Sequence, residues 1–77
     1  MSTRTVYLIT PTDVRVPAAR MVADDLIDLG EQAAAYFARH RRLTRGVPYD
    51  AQIGDDRGAI TQSGLRQPLT FTIAKES

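Results

Sequence analysis

Cysteine and tryptophan are absent from this chain of 77 residues. Without cysteine there is neither a disulfide nor a thiolate metal site, which excludes the small secreted scaffolds that disulfides hold together. No apolar run approaches the roughly 18 residues of a membrane span, and the N-terminal segment lacks the apolar stretch of a signal peptide. These absences predict a cytoplasmic protein with no membrane contact.

Motifs for catalysis and cofactor binding are also scarce. Nucleophilic catalysis needs a nucleophile beside a positioned base, and the only histidine, His40, falls on the apolar side of a predicted helix. Asp50, Asp55 and Asp56 match no calcium loop. The glycines of residues 54–64 lack the Lys-Ser/Thr pair of a phosphate loop. We therefore expect no enzyme, no cofactor and no metal site.

Four segments carry patterns typical of β-strands. Residues 3–10 have apolar side chains on both faces, which is typical of a central, well-covered strand. Residues 68–75 alternate large apolar residues with threonine and alanine, the clearest strand pattern in the chain. Residues 59–63 are predicted to pair with that strand. Residues 49–53 either continue the same strand as 59–63 or add another.

Residues 17–43 have the period of one long helix. Pro17 suits a first helical turn, and Gly46 followed by Pro48 supplies a stop signal. At about 100° per residue, one arc of the helix collects Ala19, Val22, Leu26, Leu29, Ala33, Tyr36, Phe37 and His40. This arc keeps its phase across Gly30, which predicts a helix that is continuous through the glycine.

The order strand, long helix, strand, strand predicts one domain over residues 1–77 with a two-layer α+β fold. One long helix would pack on a small three-stranded sheet (β-α-β-β), with the first strand parallel to a later one. The apolar arc of the helix is expected to pack on the sheet face that carries Leu69, Phe71 and Ile73.

Charge is distributed unevenly, although the net charge is only +1. The first half of the predicted helix holds four acids, which are Asp24, Asp25, Asp28 and Glu31. Its end holds four arginines, which are Arg39, Arg41, Arg42 and Arg45. The helix dipole favours cations at this end, but one or two arginines would be enough for that role.

Two binding surfaces follow from this charge pattern. The acidic run is predicted to contact a basic surface of a partner protein, with Asp55 and Asp56 as a weaker second patch. The arginine cluster is the alternative contact, for nucleic acid or for an acidic partner. Beside the core arc runs a flank of small or apolar residues that predicts a helix-pair dimer: Ala23, Ile27, Gly30, Ala34 and Ala38.

In size and in the order of its elements, the chain resembles the small phage-encoded inhibitors known as anti-CRISPR proteins. The resemblance rests on an opening strand "TVYLIT", one helix and a closing hairpin "AITQ…PLTFTIA", with no diagnostic motif. It implies an inhibitor that blocks a nucleic-acid-handling effector, such as a Cas protein, by protein–protein contact in a bacterial host cell. The same order of elements is similar to that of dodecins, which store flavin on a tryptophan that this chain lacks.

The sequence therefore predicts a non-enzymatic partner-binding protein of phage or mobile-element origin. Its expected partner is a host protein or nucleoprotein complex. A small nucleic-acid-binding or regulatory module that uses the arginine cluster is the first alternative, and a dodecin-like ligand-storing oligomer is the second.

Overall fold

A computed structural model describes residues 4–76 of the chain. It contains five strands and one helix: β1 (Thr5–Pro11), β2 (Ala19–Ala23), α1 (Leu26–Arg39), β3 (Tyr49–Ile53), β4 (Arg57–Gln62) and β5 (Leu69–Glu76). The strands form one sheet in the order β2-β1-β5-β4-β3, and each neighbouring pair is antiparallel. The sheet curls into a half-barrel.

The predicted fold class, a long helix on a three-stranded β-α-β-β sheet, is wrong. The sheet has five strands and no parallel pair, and the helix is short. The strand that was missed is β2, which occupies residues predicted to be helical. Its residues Ala19, Met21 and Ala23 face the core while Arg20 and Val22 face outward, so Val22 is not part of the core arc.

The four predicted strands are present with small differences in their bounds. The strand predicted over residues 3–10 becomes β1, and its first residue, Thr3, lies outside the described part of the chain. The segments 49–53 and 59–63 are two separate strands, β3 and β4, joined by a tight turn. The strand predicted over 68–75 becomes β5, which lies in the middle of the sheet.

Helix α1 begins at Leu26 because two aspartates cap its N-terminus. Asp25 is the N-cap residue, and its side chain accepts a hydrogen bond of 2.8 Å from the backbone N–H of Asp28. The Asp28 carboxylate in turn accepts the backbone N–H of Asp24 at 3.2 Å. The first of these bonds satisfies an N–H group that the first turn leaves unpaired, and the second ties the residue before the N-cap to the same turn. The helix is continuous through Gly30, as the phase of the arc predicts.

The helix ends at Arg39, four residues before the predicted end. Arg41 adopts the left-handed conformation, with φ of 62°. Its N–H donates to Ala38 O, and the N–H of Arg42 donates to Phe37 O. This is the Schellman pattern, in which the left-handed position is usually glycine. The stop signal is therefore this turn, and Gly46 and Pro48 belong to the loop after it.

Replacing Arg41 by glycine should stabilise the protein by about 1 kcal/mol, because glycine adopts φ > 0 without the steric cost of a side chain. The Tm should rise by roughly 4–8 °C. Ala35→Gly, on the exposed side of α1, is the matched control and should lower stability by about 1 kcal/mol. A lower Tm for Arg41→Gly would contradict the assigned cap.

Helix α1 bridges the two edges of the half-barrel, since it packs against both edge strands, β2 and β3. Its buried face meets the concave face of the sheet, where the rings of Phe37 and Phe71 lie 5.8 Å apart. Ile73 of the predicted sheet face is buried, and Leu69 is half-buried beside it. The largest fully buried side chains are Phe37, Phe71, Ile9, Leu29 and Ile60.

Candidate functional site

A groove of about 730 Å³ runs along the second half of α1, between the edge strand β2 and the loop that precedes β3. We call it the α1 groove. Its lining includes Arg20, Met21, Glu31, Gln32, Ala34, Ala35, Ala38, Arg39, Leu43, Thr44, Arg45, Val47, Tyr49 and Gln62. The groove lies on the open side of the half-barrel, where the curled sheet does not close on itself.

The floor of the α1 groove is apolar and is made largely of small side chains. Ala34 and Ala38 of the predicted small flank lie there, beside Met21 of β2 and Leu43 of the loop. Alanines at these positions keep the helix surface low, which leaves a depression between the helix and its two walls. A depression with an apolar floor is suited to take apolar side chains of a ligand.

One side chain, Gln62 of β4, holds the loop wall of the groove in place. Its Oε1 accepts the backbone N–H of Thr44 at 2.9 Å. Its Nε2 donates to the carbonyl oxygens of Thr44, at 2.9 Å, and Val47, at 3.0 Å. On the opposite wall, Gln32 donates to Val22 O at 2.7 Å, and the Tyr36 hydroxyl donates to Pro17 O at 2.6 Å. The walls are therefore fixed by hydrogen bonds to the backbone.

Two arginines of the predicted basic cluster stand at the rim of the α1 groove. Arg39 lies with its guanidinium 5.8 Å from the centre of the Tyr36 ring, within cation–π range. Arg45 lies in the loop wall. Within residues 4–76, neither side chain has a carboxylate within 4.0 Å, whereas the third arginine of the groove, Arg20, is paired with Glu76 at 3.1 Å.

The other two arginines of the cluster have different surroundings. Arg41 is exposed at the end of the Schellman turn. Arg42 turns back toward the β1–β2 loop, and its buried Nε lies 3.4 Å from Asp13 Oδ2, a charge contact without hydrogen-bond geometry. Hydrogen bonds from the side chain and backbone of Arg15, together with the charges of Arg15 and Arg42, hold the pKa of Asp13 below its usual value. Arg42 is thus engaged within the chain.

The predicted acidic face is divided between two roles in the structure. Asp25 and Asp28 cap α1, and Asp28 also accepts a hydrogen bond of 3.2 Å from Gln32. Asp24 lies 3.7 Å from Arg4 in an exposed ion pair. Only Glu31 of the four is an exposed helix residue without a role in the cap, and it lines the α1 groove. Three of the four acids thus contribute to the local structure, while their predicted binding role stays a prediction.

The remaining predicted site residues are spread over several surfaces. Asp55 and Asp56 form the exposed turn between β3 and β4, where Asp56 pairs with Arg57 at 3.5 Å. Of the small flank, Ala23 lies on β2 and is buried, and Gly30 packs against Ala51 and Ile53 of β3. Ile27 is the exposed member, at 78%. His40 packs on Tyr36, with ring centres 4.6 Å apart.

The groove residues that sequence patterns missed include Arg20, Met21, Gln32, Ala35, Leu43, Thr44, Val47, Tyr49 and Gln62. They come from five separate parts of the chain, and nothing in the local pattern of any one of them indicates a shared surface. Outside the groove, Asp25 is an N-cap signal, because it lies three residues before Asp28. This signal would have moved the predicted helix start to residue 26 and left residues 19–23 free to form a strand.

Comparison with protein-family models, curated proteins and solved structures finds no match to this chain. The helix that the structure describes in residues 4–76 is too short to cross a membrane. In the same range, no three side chains of the metal-ligating types are grouped so that they could hold an ion.

Proposed function

We propose that this protein is a non-enzymatic binding protein and that the α1 groove is its contact surface. The ligand that suits the groove is a segment of a partner protein that carries both acidic and apolar side chains. The observation that carries this proposal is the pair Arg39 and Arg45, which flank an apolar floor and have no carboxylate partner within residues 4–76.

The charge balance of the groove supports an acidic ligand. Arg20 is neutralised by Glu76, so Arg39 and Arg45 face a single acid of the groove, Glu31. Guanidinium groups at the rim of an apolar site form two-pronged hydrogen bonds with carboxylates. The apolar floor favours a ligand that alternates acidic with apolar side chains over a uniformly charged polymer. A uniformly charged ligand would leave the apolar floor of the groove exposed to water.

The backbone conformation of Arg41 also supports a basic contact surface. A non-glycine residue at φ of 62° costs about 1 kcal/mol or more, and the exposed Arg41 side chain makes no ion pair within the described part of the chain. An exposed arginine at a position that favours glycine supports the use of its side chain by a partner. Arg41 would extend the basic surface from the groove rim to the end of α1.

We further propose that the protein acts as an inhibitor, in the cytoplasm of a bacterial host cell, by occupying a surface of a nucleic-acid-handling effector. What supports this class is the resemblance to anti-CRISPR proteins in size, together with a groove suited to a partner segment in a chain of this length. The resemblance in the order of elements holds only in part, because β2 precedes the helix and β3 follows it. A nuclease assay of a Cas effector, with and without the protein, tests the class. Cleavage that is unchanged at every ratio of protein to effector would reject it for that effector.

Nucleic-acid binding is the second candidate, and it rests on the exposed arginines of the cluster together with Tyr49. Tyr49 is 42% exposed and lines the same groove, so a base could stack there while Arg39 and Arg45 contact phosphates. Such binding would weaken steeply with salt, because phosphate contacts release counterions. An acidic, apolar peptide would be less sensitive to salt because part of its binding is hydrophobic.

Reversing the charge of Arg39 and Arg45 should abolish binding of an acidic, apolar ligand. The probes are a fluorescent peptide that alternates glutamate with leucine, its lysine–leucine counterpart and single-stranded oligothymidine. We expect the glutamate–leucine peptide to bind the parent protein and the double variant Arg39→Glu/Arg45→Glu to lose roughly tenfold or more in affinity. The matched control, Arg66→Glu/Lys75→Glu, makes the same charge change at exposed residues outside the groove and should bind like the parent.

The substitution Glu31→Lys distinguishes binding by the α1 groove from binding by the predicted acidic face. The groove proposal expects this variant to bind the glutamate–leucine peptide more tightly, whereas an acidic contact surface would be weakened by it. Glu31 has no part in the helix cap, so the melt should change little. Binding of oligothymidine in preference to the peptide would select the nucleic-acid candidate, and binding of neither would reject the groove as the contact surface.

A further inference from the structure

The two edge strands of the half-barrel differ in how their outer edges are covered. On β2, Gln32 of α1 donates a hydrogen bond to Val22 O, and the charged Arg20 lies on the same strand. Strand β3 carries no lysine, arginine or proline between Tyr49 and Ile53. Basic side chains, proline and covering elements are among the devices by which proteins protect an edge from pairing, and the one charged residue of β3 is Asp50.

The free backbone groups of β3 follow from its pairing with β4. The N–H of Gly54 donates to Arg57 O at 2.8 Å, so Gly54 and Arg57 form a hydrogen-bonded pair. Such pairs alternate along an antiparallel ladder. Asp50 and Gln52 therefore direct their backbone groups at β4, while Tyr49, Ala51 and Ile53 direct theirs at the open edge. Within residues 4–76, the backbone groups of these three residues make no hydrogen bond at that edge.

Apolar side chains accompany this open edge. A recess of about 310 Å³ lies between β3 and the first half of α1, lined by Ile27, Ala51 and Ile53 among others. Ile27 is 78% exposed and Tyr49 is 42% exposed, two of the most exposed large apolar side chains that the structure describes. A strand added to β3 would cover this recess and bury both side chains.

We infer that β3 pairs with β3 of a second copy of this chain, in an antiparallel arrangement with Ala51 on the two-fold axis. The arrangement is self-complementary because Tyr49 faces Ile53 of the other copy, Ala51 faces its own equivalent, and all three free residues form hydrogen-bonded pairs. A register shifted by two residues would leave one of the three unpaired. The result is a continuous ten-stranded sheet across the two copies, joined by main-chain hydrogen bonds.

Charge also favours a second copy as the occupant. In this register Asp50 lies opposite Gln52 of the other copy, so no like charges meet directly on the outer face. The acidic turn of Asp55 and Asp56 in one copy comes beside the segment that precedes β3 in the other, which carries Arg45. Because the two copies are related by a two-fold axis, this contact between opposite charges occurs twice.

The association state and amide exchange together test this inference. Light scattering should give a mass that rises with concentration toward twice the 8.5 kDa of one chain. In the concentrated sample the amides of Ala51 and Ile53 should exchange roughly tenfold or more slowly than in the dilute sample, because they become hydrogen-bonded. Amides of Asp50 and Gln52, bonded to β4 in either state, should change much less.

Ala51→Pro should abolish the dimer and leave the monomer folded. The N–H that proline removes faces the open edge, so the ladder to β4 stays complete, and an edge strand tolerates proline in that orientation. Ile27→Glu is the second variant, and it removes exposed apolar surface of α1 without changing β3. Its control is Val14→Glu, at a residue that is 95% exposed in the β1–β2 loop. The control should keep the parent's mass.

A parent that stays monomeric from micromolar to near-millimolar concentration would overturn the inference. So would a dimer in which the Ala51 and Ile53 amides exchange equally fast at both concentrations, since its interface would lie elsewhere. The dimer would bring Asp55 and Asp56 of the other copy beside Arg45, which also lines the α1 groove. Peptide binding is therefore measured on the monomeric variant Ala51→Pro as well as on the parent, so that failure of one proposal leaves the other standing.

Discussion

Phe37→Ala is expected to lower the free energy of unfolding by about 3–5 kcal/mol. Phe37 is 1% exposed, and its ring packs on Phe71 at 5.8 Å, at the point where α1 meets the concave face of the sheet. Removing the ring deletes buried apolar surface and leaves a cavity that a curved sheet cannot close without moving several strands.

The expected loss of stability is large relative to the total stability of a domain of 77 residues. Typical stability for this length is about 4–12 kcal/mol, so the substitution removes a quarter or more of it. The Tm should fall by more than about 12 °C. Phe37→Leu is the graded control, which keeps most of the volume and should cost about 1.5 kcal/mol or less. An alanine variant that melts within a few degrees of the parent would show that the helix packs elsewhere.

Gly58→Ala should destabilise the protein by about 1–3 kcal/mol, the usual range for overpacking. A Cβ atom on Gly58 would lie 2.5 Å from both Cε2 and Cζ of Phe71 and 3.0 Å from Cδ1 of Ile53. The Phe71 ring lies across the glycine of the neighbouring strand and cannot retreat, because Phe37 packs on it. Glycine is required here for close approach, since its φ is not in the left-handed region.

Gly54→Ala is the matched control for this substitution. Gly54 is exposed, its φ is also outside the left-handed region, and the nearest atom to an added Cβ is Arg57 O at 3.4 Å. The control should therefore leave stability unchanged or raise it slightly, because alanine reduces the freedom of the unfolded chain. Chemical denaturation with both variants checks the pair, and equal midpoints for the two would be the contrary result.

Several local features were predictable from sequence because their causes are local. The alternation of residues 68–75 predicted β5, whose Phe71 and Ile73 are buried, and Phe71 packs on Phe37 of the helix as expected. The phase of the apolar arc across Gly30 predicted an uninterrupted helix there. In each case, the side chains that decide the conformation lie within a few residues of one another.

The segment 19–23 shows where local pattern fails. Ala19 and Val22 fit the helical arc, yet Ala19, Met21 and Ala23 fit a strand equally well, and five residues cannot separate the two periods. Residues 19–23 form a strand because they pair with β1 in an antiparallel ladder from Thr5 to Ile9. The helix then begins where Asp25 can cap it, and this cap was visible in the sequence although the 17–43 prediction ignored it.

The sequence by itself determined the strands with clean alternation, the buried face of α1 and the segregation of acids from arginines, because these depend on side-chain spacing along the chain. Only the tertiary structure decided the order β2-β1-β5-β4-β3, which depends on contacts between strands far apart in the chain. The same is true of the α1 groove, where Gln62 of β4 holds the loop that carries Arg45, and of the open edge of β3. Curling of the sheet brings these residues together, and no short-range pattern records how far a sheet will curl.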